Sequence, residues 1–171
     1  MPVYYADDAA KQIMNTDETQ KTALVKNFGE KVYANGRLDR AWLASIVFAD
    51  NAKLALLNSL THPATIRDAD LWMKKQTSVY TIKEAALLFE SGSYAYLDHI
   101  IGVYAPQDLR IKRVMRRDKV SAEEVLKRMS RQINEEEKMK RCDSIITNDE
   151  QHSVIQQVLQ LHEKFLAMQP K

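Results

Sequence analysis

Apolar positions along the chain follow two patterns. Short runs rich in β-branched and aromatic residues occupy 3–6, 79–82, 100–105 and 144–147, and none alternates cleanly with polar residues. Such runs predict strands covered on both faces, as in a parallel sheet. Helical stretches lie between them, so the pattern predicts an α/β fold. From Asp8 to Ser78 the whole stretch reads as helical. Within it, "TDETQKTALVKNFG" offers Thr16 or Asp17 as an N-cap and Gly29 as a stop. "ANGRLDRAWLASIVFAD" starts after an Asn35-Gly36 turn, with Asp39 as a possible cap. "NAKLALLNSLTHPATIRDADLWMKKQ" continues the pattern, and Pro63 predicts a break or a new helix start. About 70 residues between two strands is too long for a plain crossover, which predicts a helical subdomain inserted on one side of the sheet.

Beyond the third strand, "PQDLRIKRVMRRD" predicts a basic helix. "SAEEVLKRMSRQINEEEKMKR" follows, with Ser121 and Glu124 spaced as a capping box. The last helix repeats apolar residues at Val154, Val158, Leu161 and Phe165, a stripe suited to docking on a sheet. "EAALLFESG" is expected to end a strand in Leu87, Leu88 and Phe89, before Glu90 and a turn at Gly92.

Composition narrows the class. The 25 basic and 23 acidic residues nearly cancel, so no bulk field argues for nucleic acid or a membrane surface. One cysteine, Cys142, excludes an internal disulfide framework. His62, His99, His152 and His162 are scattered without zinc-ligand spacing. No signal peptide and no apolar run of about 18 residues is present, so the expected compartment is the cytoplasm.

Three features carry candidate chemistry. Asp7 and Asp8 follow the first strand, where α/β folds bind ligands, and an acid there can accept a hydroxyl proton or hold Mg²⁺. Capping of the next helix accounts for them equally well. Arg110, Arg113 and Arg117 form one helical stripe, with Arg116 alongside; their planar forks suit phosphate, although a solvated face gives the same row. Asn148 ends the last strand, where an Asx turn is the simplest account. His62-Pro63, with Arg67 a turn on, reads alone as a helix entry.

Taken in order, the strand with its acid, the helical insert with His-Pro, "LLFES", the arginine helix, "KRMSRQ" and the strand ending in Asn148 resemble dephospho-coenzyme A kinases over nearly the whole chain. The resemblance implies a doubly wound parallel sheet of the phosphate-loop kinase type. Its core would comprise 1–15 and 78–171, with a lid at about 106–141 and a coenzyme A-binding insert at 16–77. It implies transfer of a phosphoryl group from ATP, with Mg²⁺, to the 3′-hydroxyl of dephospho-coenzyme A, a small-molecule substrate. Asp7 matches the proposed base, and Arg113 and Arg117 match the lid arginines. Lys11, His62, Arg67, Leu88, Phe89 and Glu90 fall on the acceptor side. Arg128 and Gln132 fit an Arg-x-x-x-Gln segment, and Asn148 falls on the adenine side.

Departures from the family pattern are mild at Ala86, where many members have proline, and at Lys11, where arginine is usual. The large departure is at the front. The family's Gly-x-x-x-x-Gly-Lys-Ser/Thr loop holds the ATP phosphates, and the four glycines here, at 29, 36, 92 and 102, stand apart from one another. "MPVYYADD" resembles the family's second strand. A start assigned at an internal Met, or a trimmed chain, would produce this beginning. The expectation is therefore a chain without the central strand, inactive and poorly stable alone, with open strand edges that invite association. The rival expectations are a related small-molecule or nucleotide kinase, which would lack the "HPATIR" insert, and a non-catalytic nucleotide- or coenzyme-binding module.

Overall fold

The computed structural model describes residues 1–168 and divides into two compact units, Met1–Ala86 and the residues from Leu87 onward. In the first, strand β1 (Val3–Tyr5) runs directly into helix α1 (Ala6–Thr16), followed by α2 (Glu18–Phe28). Asp17 separates the two helices and accepts from the Gln20 amide at 3.1 Å, the N-cap bond its short acidic side chain favours. Gly29 stops α2 at φ 88°, in the region glycine enters without steric cost. A hairpin of β2 (Tyr33–Ala34) and β3 (Arg37–Leu38) comes next, then α3 (Arg40–Val47), α4 (Asn51–Lys74) and β4 (Ile82–Glu84). Asp39 caps α3 through the Trp42 amide at 2.9 Å. β1 and β4 pair in parallel, with Val3 opposite Ile82.

Three expectations for this unit need correction. The stretch read as wholly helical contains the β2–β3 hairpin, because Asn35 and Gly36 both adopt positive φ, 52° and 74°. That is the geometry of a two-residue type I′ turn, for which Asn-Gly is the favoured pair. Pro63 neither breaks nor starts a helix, since α4 runs through it. An interior proline costs about 3 kcal/mol. Here α4 packs against α1, α2 and α3 and buries Thr61, Ala64 and Ala69, which offsets that cost. The strand expected at 79–82 pairs at Ile82–Glu84 instead. Ser78 donates its hydroxyl to the Tyr80 carbonyl at 3.1 Å, a local bend that occupies the preceding residues.

Two cores hold the unit together. Leu24, Val32, Leu38, Leu43 and Val47 cluster within the helical segment, with Leu24 and Val32 fully enclosed. Tyr4, Ala6 and Ala69 join β1 to α4, with Trp72 packed beside them.

The second unit contains β5 (Ile101–Tyr104), α5 (Gln107–Asp118), α6 (Ala122–Met129), α7 (Glu135–Lys140), β6 (Ser144–Thr147) and α8 (Val154–Ala167). β5 and β6 pair in parallel, Ile101 opposite Ser144. The four parallel strands therefore form two separate two-stranded sheets, one per unit. Gly102 is required for close packing, because a Cβ there would lie 2.8 Å from Met139 Sδ and 2.9 Å from Cys142 Sγ. The Ser121–Glu124 capping box forms in both directions.

Two sequence expectations shift in this unit. Leu87, Leu88 and Phe89 lie in turns rather than a strand. The Ser91 and Gly92 amides fold back on the Leu87 and Phe89 carbonyls, and Gly92 takes φ 72°. On α8, Val158 is 46% exposed and leaves the expected stripe. Gln157 takes part instead. Its Oε1 accepts from the Thr147 amide at 2.8 Å and its Nε2 donates to the Thr147 carbonyl at 2.9 Å, so the side chain pairs with β6 as a strand residue would.

Candidate active site

The acidic pair stands in the first turn of α1, immediately past the carboxyl end of β1. The N-cap position is Tyr5, whose side chain makes no cap bond, so neither aspartate is the cap. The helix N-terminus favours negative charge at both positions. Their surroundings differ. Asp8 accepts from Lys11 Nζ at 2.5 Å, and this partner holds its carboxyl below the usual carboxylate range. Asp7 is exposed and has no bonded partner among the described residues. Asp8 thus commits one oxygen to Lys11, while both oxygens of Asp7 are free of a protein donor among the described residues.

Behind the pair, Tyr4 is 5% exposed and donates its hydroxyl to Asp68 Oδ2 at 2.7 Å, tying β1 to α4. The Tyr4 and Trp72 rings are tilted, with centroids 5.5 Å apart. Burial first, and then Asp68, pushes the Tyr4 hydroxyl far above its ordinary value. His62 and Arg67 both belong to α4. Five residues apart, they are separated by about 140° around the helix and share no face. His62 is half-buried, and burial lowers its pKa, keeping the imidazole neutral near pH 7, while Arg67 is exposed.

In the second unit the arginine stripe of α5 is more than a solvated row. Arg113 donates to the Asn148 carbonyl at 3.0 Å, to Asn148 Oδ1 at 3.3 Å and to Glu150 Oε1 at 3.2 Å. The structure thus brings together a predicted lid arginine and the predicted adenine-side asparagine. The Asx turn expected of Asn148 belongs to Asp149, whose Oδ1 accepts from the Gln151 and His152 amides, both at 3.0 Å. Those amides, His152 first, lower the Asp149 carboxyl to about 2. Asn148 instead extends the ladder through its amide, bonded to the Tyr104 carbonyl at 2.8 Å.

One turn further along α5, Arg117 pairs with Asp118 at 2.7 Å, and Asp118 also accepts from Arg128 at 2.8 Å. Asp118 therefore gathers two predicted site arginines, and they lower its carboxyl, Arg117 more than Arg128. Arg117 remains 73% exposed. Leu88 is half-buried, and the Phe89 ring lies 5.4 Å from that of Tyr94 and 5.9 Å from the Arg141 guanidinium. Glu90 turns its carboxylate to the chain itself, accepting from the Ile133 amide at 3.1 Å. Gln132, one residue earlier, is exposed.

Sequence reasoning missed Glu150 and the bridging role of Asp118. Glu150 sits at φ 70°, a conformation no local pattern announces. Asp118 was visible only as the neighbour of Arg117, because its second partner lies ten residues away. Among the described residues no group of three His, Cys, Asp or Glu side chains is placed to hold a metal ion. Past the end of β1, Asp7 offers Mg²⁺ a carboxylate with no bonded partner among the described residues. The chain's residues thus fit a Mg²⁺ held mostly by phosphate oxygens and water, the usual preference of that ion.

Parallel strands feeding helices, an uncommitted acid past one strand and arginines gathered past another define an α/β protein suited to anionic substrates. Comparison with known proteins narrows this class. The profile described as CoaE: Dephospho-CoA kinase matches residues 1–153. A dephospho-CoA kinase of Bacteroides fragilis is 34% identical over 162 residues, covering 94% of this chain and 79% of the relative. One from Fusobacterium nucleatum is 34% identical over 148 residues, covering 86% and 76%. A crystal structure of a Thermus thermophilus protein superposes with a TM-score of 0.80 at 32% identity, over 99% of this chain and 85% of the other. The dephospho-CoA kinase from Campylobacter jejuni gives 0.66 at 30% identity, over 96% and 84%. The chain belongs to the dephospho-CoA kinase family. No helix among the described residues is long and apolar enough to cross a membrane.

Proposed function

We propose that this chain contributes the acceptor and lid residues for transfer of the ATP γ-phosphoryl group to the 3′-hydroxyl of dephospho-coenzyme A in the cytoplasm. The observation that carries the reading is the uncommitted Asp7 carboxylate beside the neutralised Asp8–Lys11 pair. Asp7 accepts the hydroxyl proton as that oxygen bonds to the γ-phosphorus and the bond to the β-phosphate oxygen breaks, releasing ADP. In the first unit, Arg67 supplies exposed positive charge suited to the acceptor's phosphates. Arg117 and Arg128 neutralise charge on the nucleotide phosphates, which Asp118 keeps from scattering into solvent. Mg²⁺, when bound, would supply further positive charge against the nucleotide phosphates, with Asp7 the residue placed to hold it.

Arg113 admits a second reading. Its bonds to the Asn148 carbonyl and side chain favour a role in shaping the adenine-side loop, in place of direct contact with the transferring group.

Residues 1–171 contain no Gly-x-x-x-x-Gly-Lys-Ser/Thr segment. Titration of this chain should therefore show dephospho-coenzyme A binding without micromolar ATP binding. Tight ATP binding would refute the division of labour. In a preparation that turns over ATP, Asp7→Asn should slow phosphorylation by roughly two to four orders of magnitude, with dephospho-coenzyme A binding changed far less. Turnover within about threefold of the parent would remove Asp7 from the chemistry.

A further inference from the structure

The segment joining α6 to α7 is held at its far end by two side chains from distant parts of the second unit. Glu90, from the turn after Leu87, accepts from the Ile133 amide at 3.1 Å across 43 positions. Arg110, on α5, bonds Glu135 at 3.0 Å, and both side chains are largely enclosed, 26% and 19% exposed. Asn134, between the two anchored residues, caps α7 by accepting from the Glu136 and Glu137 amides at 2.9 and 3.4 Å. Three successive residues are therefore fixed. At the near end Arg128 is tied to Asp118 at 2.8 Å. Gln132 lies between these anchors and is exposed.

Each far-end anchor is incomplete. Glu90 Oε2 and Arg110 Nε are both buried and have no hydrogen-bond partner among the described residues. A buried carboxylate oxygen or guanidinium N–H without a partner carries an unrelieved desolvation penalty. The two anchors thus hold the segment from outside it while one buried atom of each is left unanswered.

We infer that Glu90 and Arg110 are positioning residues that latch the 130–134 segment and so set the reach of Arg128 and Gln132. What Arg128 and Gln132 touch rests on the kinase reading above; the latch itself does not. Glu90 acts through the main chain of Ile133 rather than on substrate.

Amide hydrogen exchange on residues 1–171, without nucleotide or coenzyme, tests the latch independently of the kinase reading. In Glu90→Ala, the Ile133 amide should exchange about tenfold faster or more, with the helices of the unit unchanged. Glu90→Gln keeps an acceptor oxygen at the same reach and should stay within about threefold of the parent. Arg110→Gln should loosen the segment from the Glu135 side. Should Glu90→Ala fail to fold, Glu90→Asp, which keeps the charge and loses one methylene of reach, takes its place. Three results would overturn the inference: parental protection at Ile133 in the shortened variants, equal acceleration throughout the unit, or a Glu90→Gln protein as fast as Glu90→Ala.

Discussion

Replacing Tyr4 by Phe isolates the bond that fixes the acid-bearing strand against α4. The ring stays, so the contact with Trp72 at 5.5 Å and the packing on Ala69 survive. What is lost is the donation to Asp68 at 2.7 Å, together with a longer bond to the Thr65 carbonyl at 3.4 Å. A hydrogen bond to a charged acceptor is worth about 1.5–3 kcal/mol, and the exposure of Asp68, which water then solvates, puts the expected loss at the low end, about 1.5 kcal/mol. The pH dependence is more telling. The folded-state pKa of Tyr4 lies above its unfolded value. Its contribution is therefore fully present below the unfolded pKa, near 10, and is lost as pH rises from there through the folded value. Above pH 10 the parent should lose about 1.4 kcal/mol per pH unit through this one proton, a loss the phenylalanine variant cannot share. Urea unfolding at pH 7 and at several points above pH 10 measures both effects. Equal midpoints at pH 7 would show that the Tyr4–Asp68 bond does not form as described, and parallel alkaline decline would show that burial and Asp68 do not raise the Tyr4 hydroxyl.

The remaining predictions concern the second unit. Arg113→Ala should lower stability by about 1 kcal/mol through its bond to the Asn148 carbonyl, whereas Arg117→Ala, 73% exposed and paired with its sequence neighbour Asp118, should leave thermal unfolding nearly unchanged. Equal melting temperatures for the two variants would return Arg113 to a purely ligand-directed role. Gly102→Ala should cost about 1–3 kcal/mol as Met139 and Cys142 yield to the added methyl, read as a lower denaturation midpoint.

How far the sequence revealed this molecule depends on the range of the interaction. Caps at Asp17, Asp39 and Ser121 were legible because an N-cap bonds an amide two or three residues on, and the sequence shows both partners together. The hairpin at Asn35-Gly36 carried its signal too, yet with two residues per strand there was no alternation to support it. Pro63 misled for the opposite reason. Its local cost is real, but the packing of α4 that outweighs it comes from α1, α2 and α3, which the local pattern cannot supply. "LLFES" looked like a strand because three apolar residues adjoin, whereas Gly92 and the Ser91 amide bend it into turns.

The acids illustrate the same limit at the site. Sequence spacing offered Asp7 and Asp8 as equals and could not decide between capping and chemistry. The structure separates them by their partners: Asp8 is bound to Lys11, and Asp7 has no bonded partner among the described residues. The same sorting applies further along the chain. Asp118 is taken by Arg117 and Arg128, Asp149 by the amides of its own turn, and Asp68 by Tyr4. Each of these carboxylates has its charge already answered by a donor from the protein. An acid that is to accept a substrate proton must stand outside such pairings, since a committed oxygen gives up a bond before it can form another. Among these five aspartates only Asp7 meets that condition, and it does so past the end of a parallel strand at a helix N-terminus, where an anionic side chain is stabilised without being neutralised.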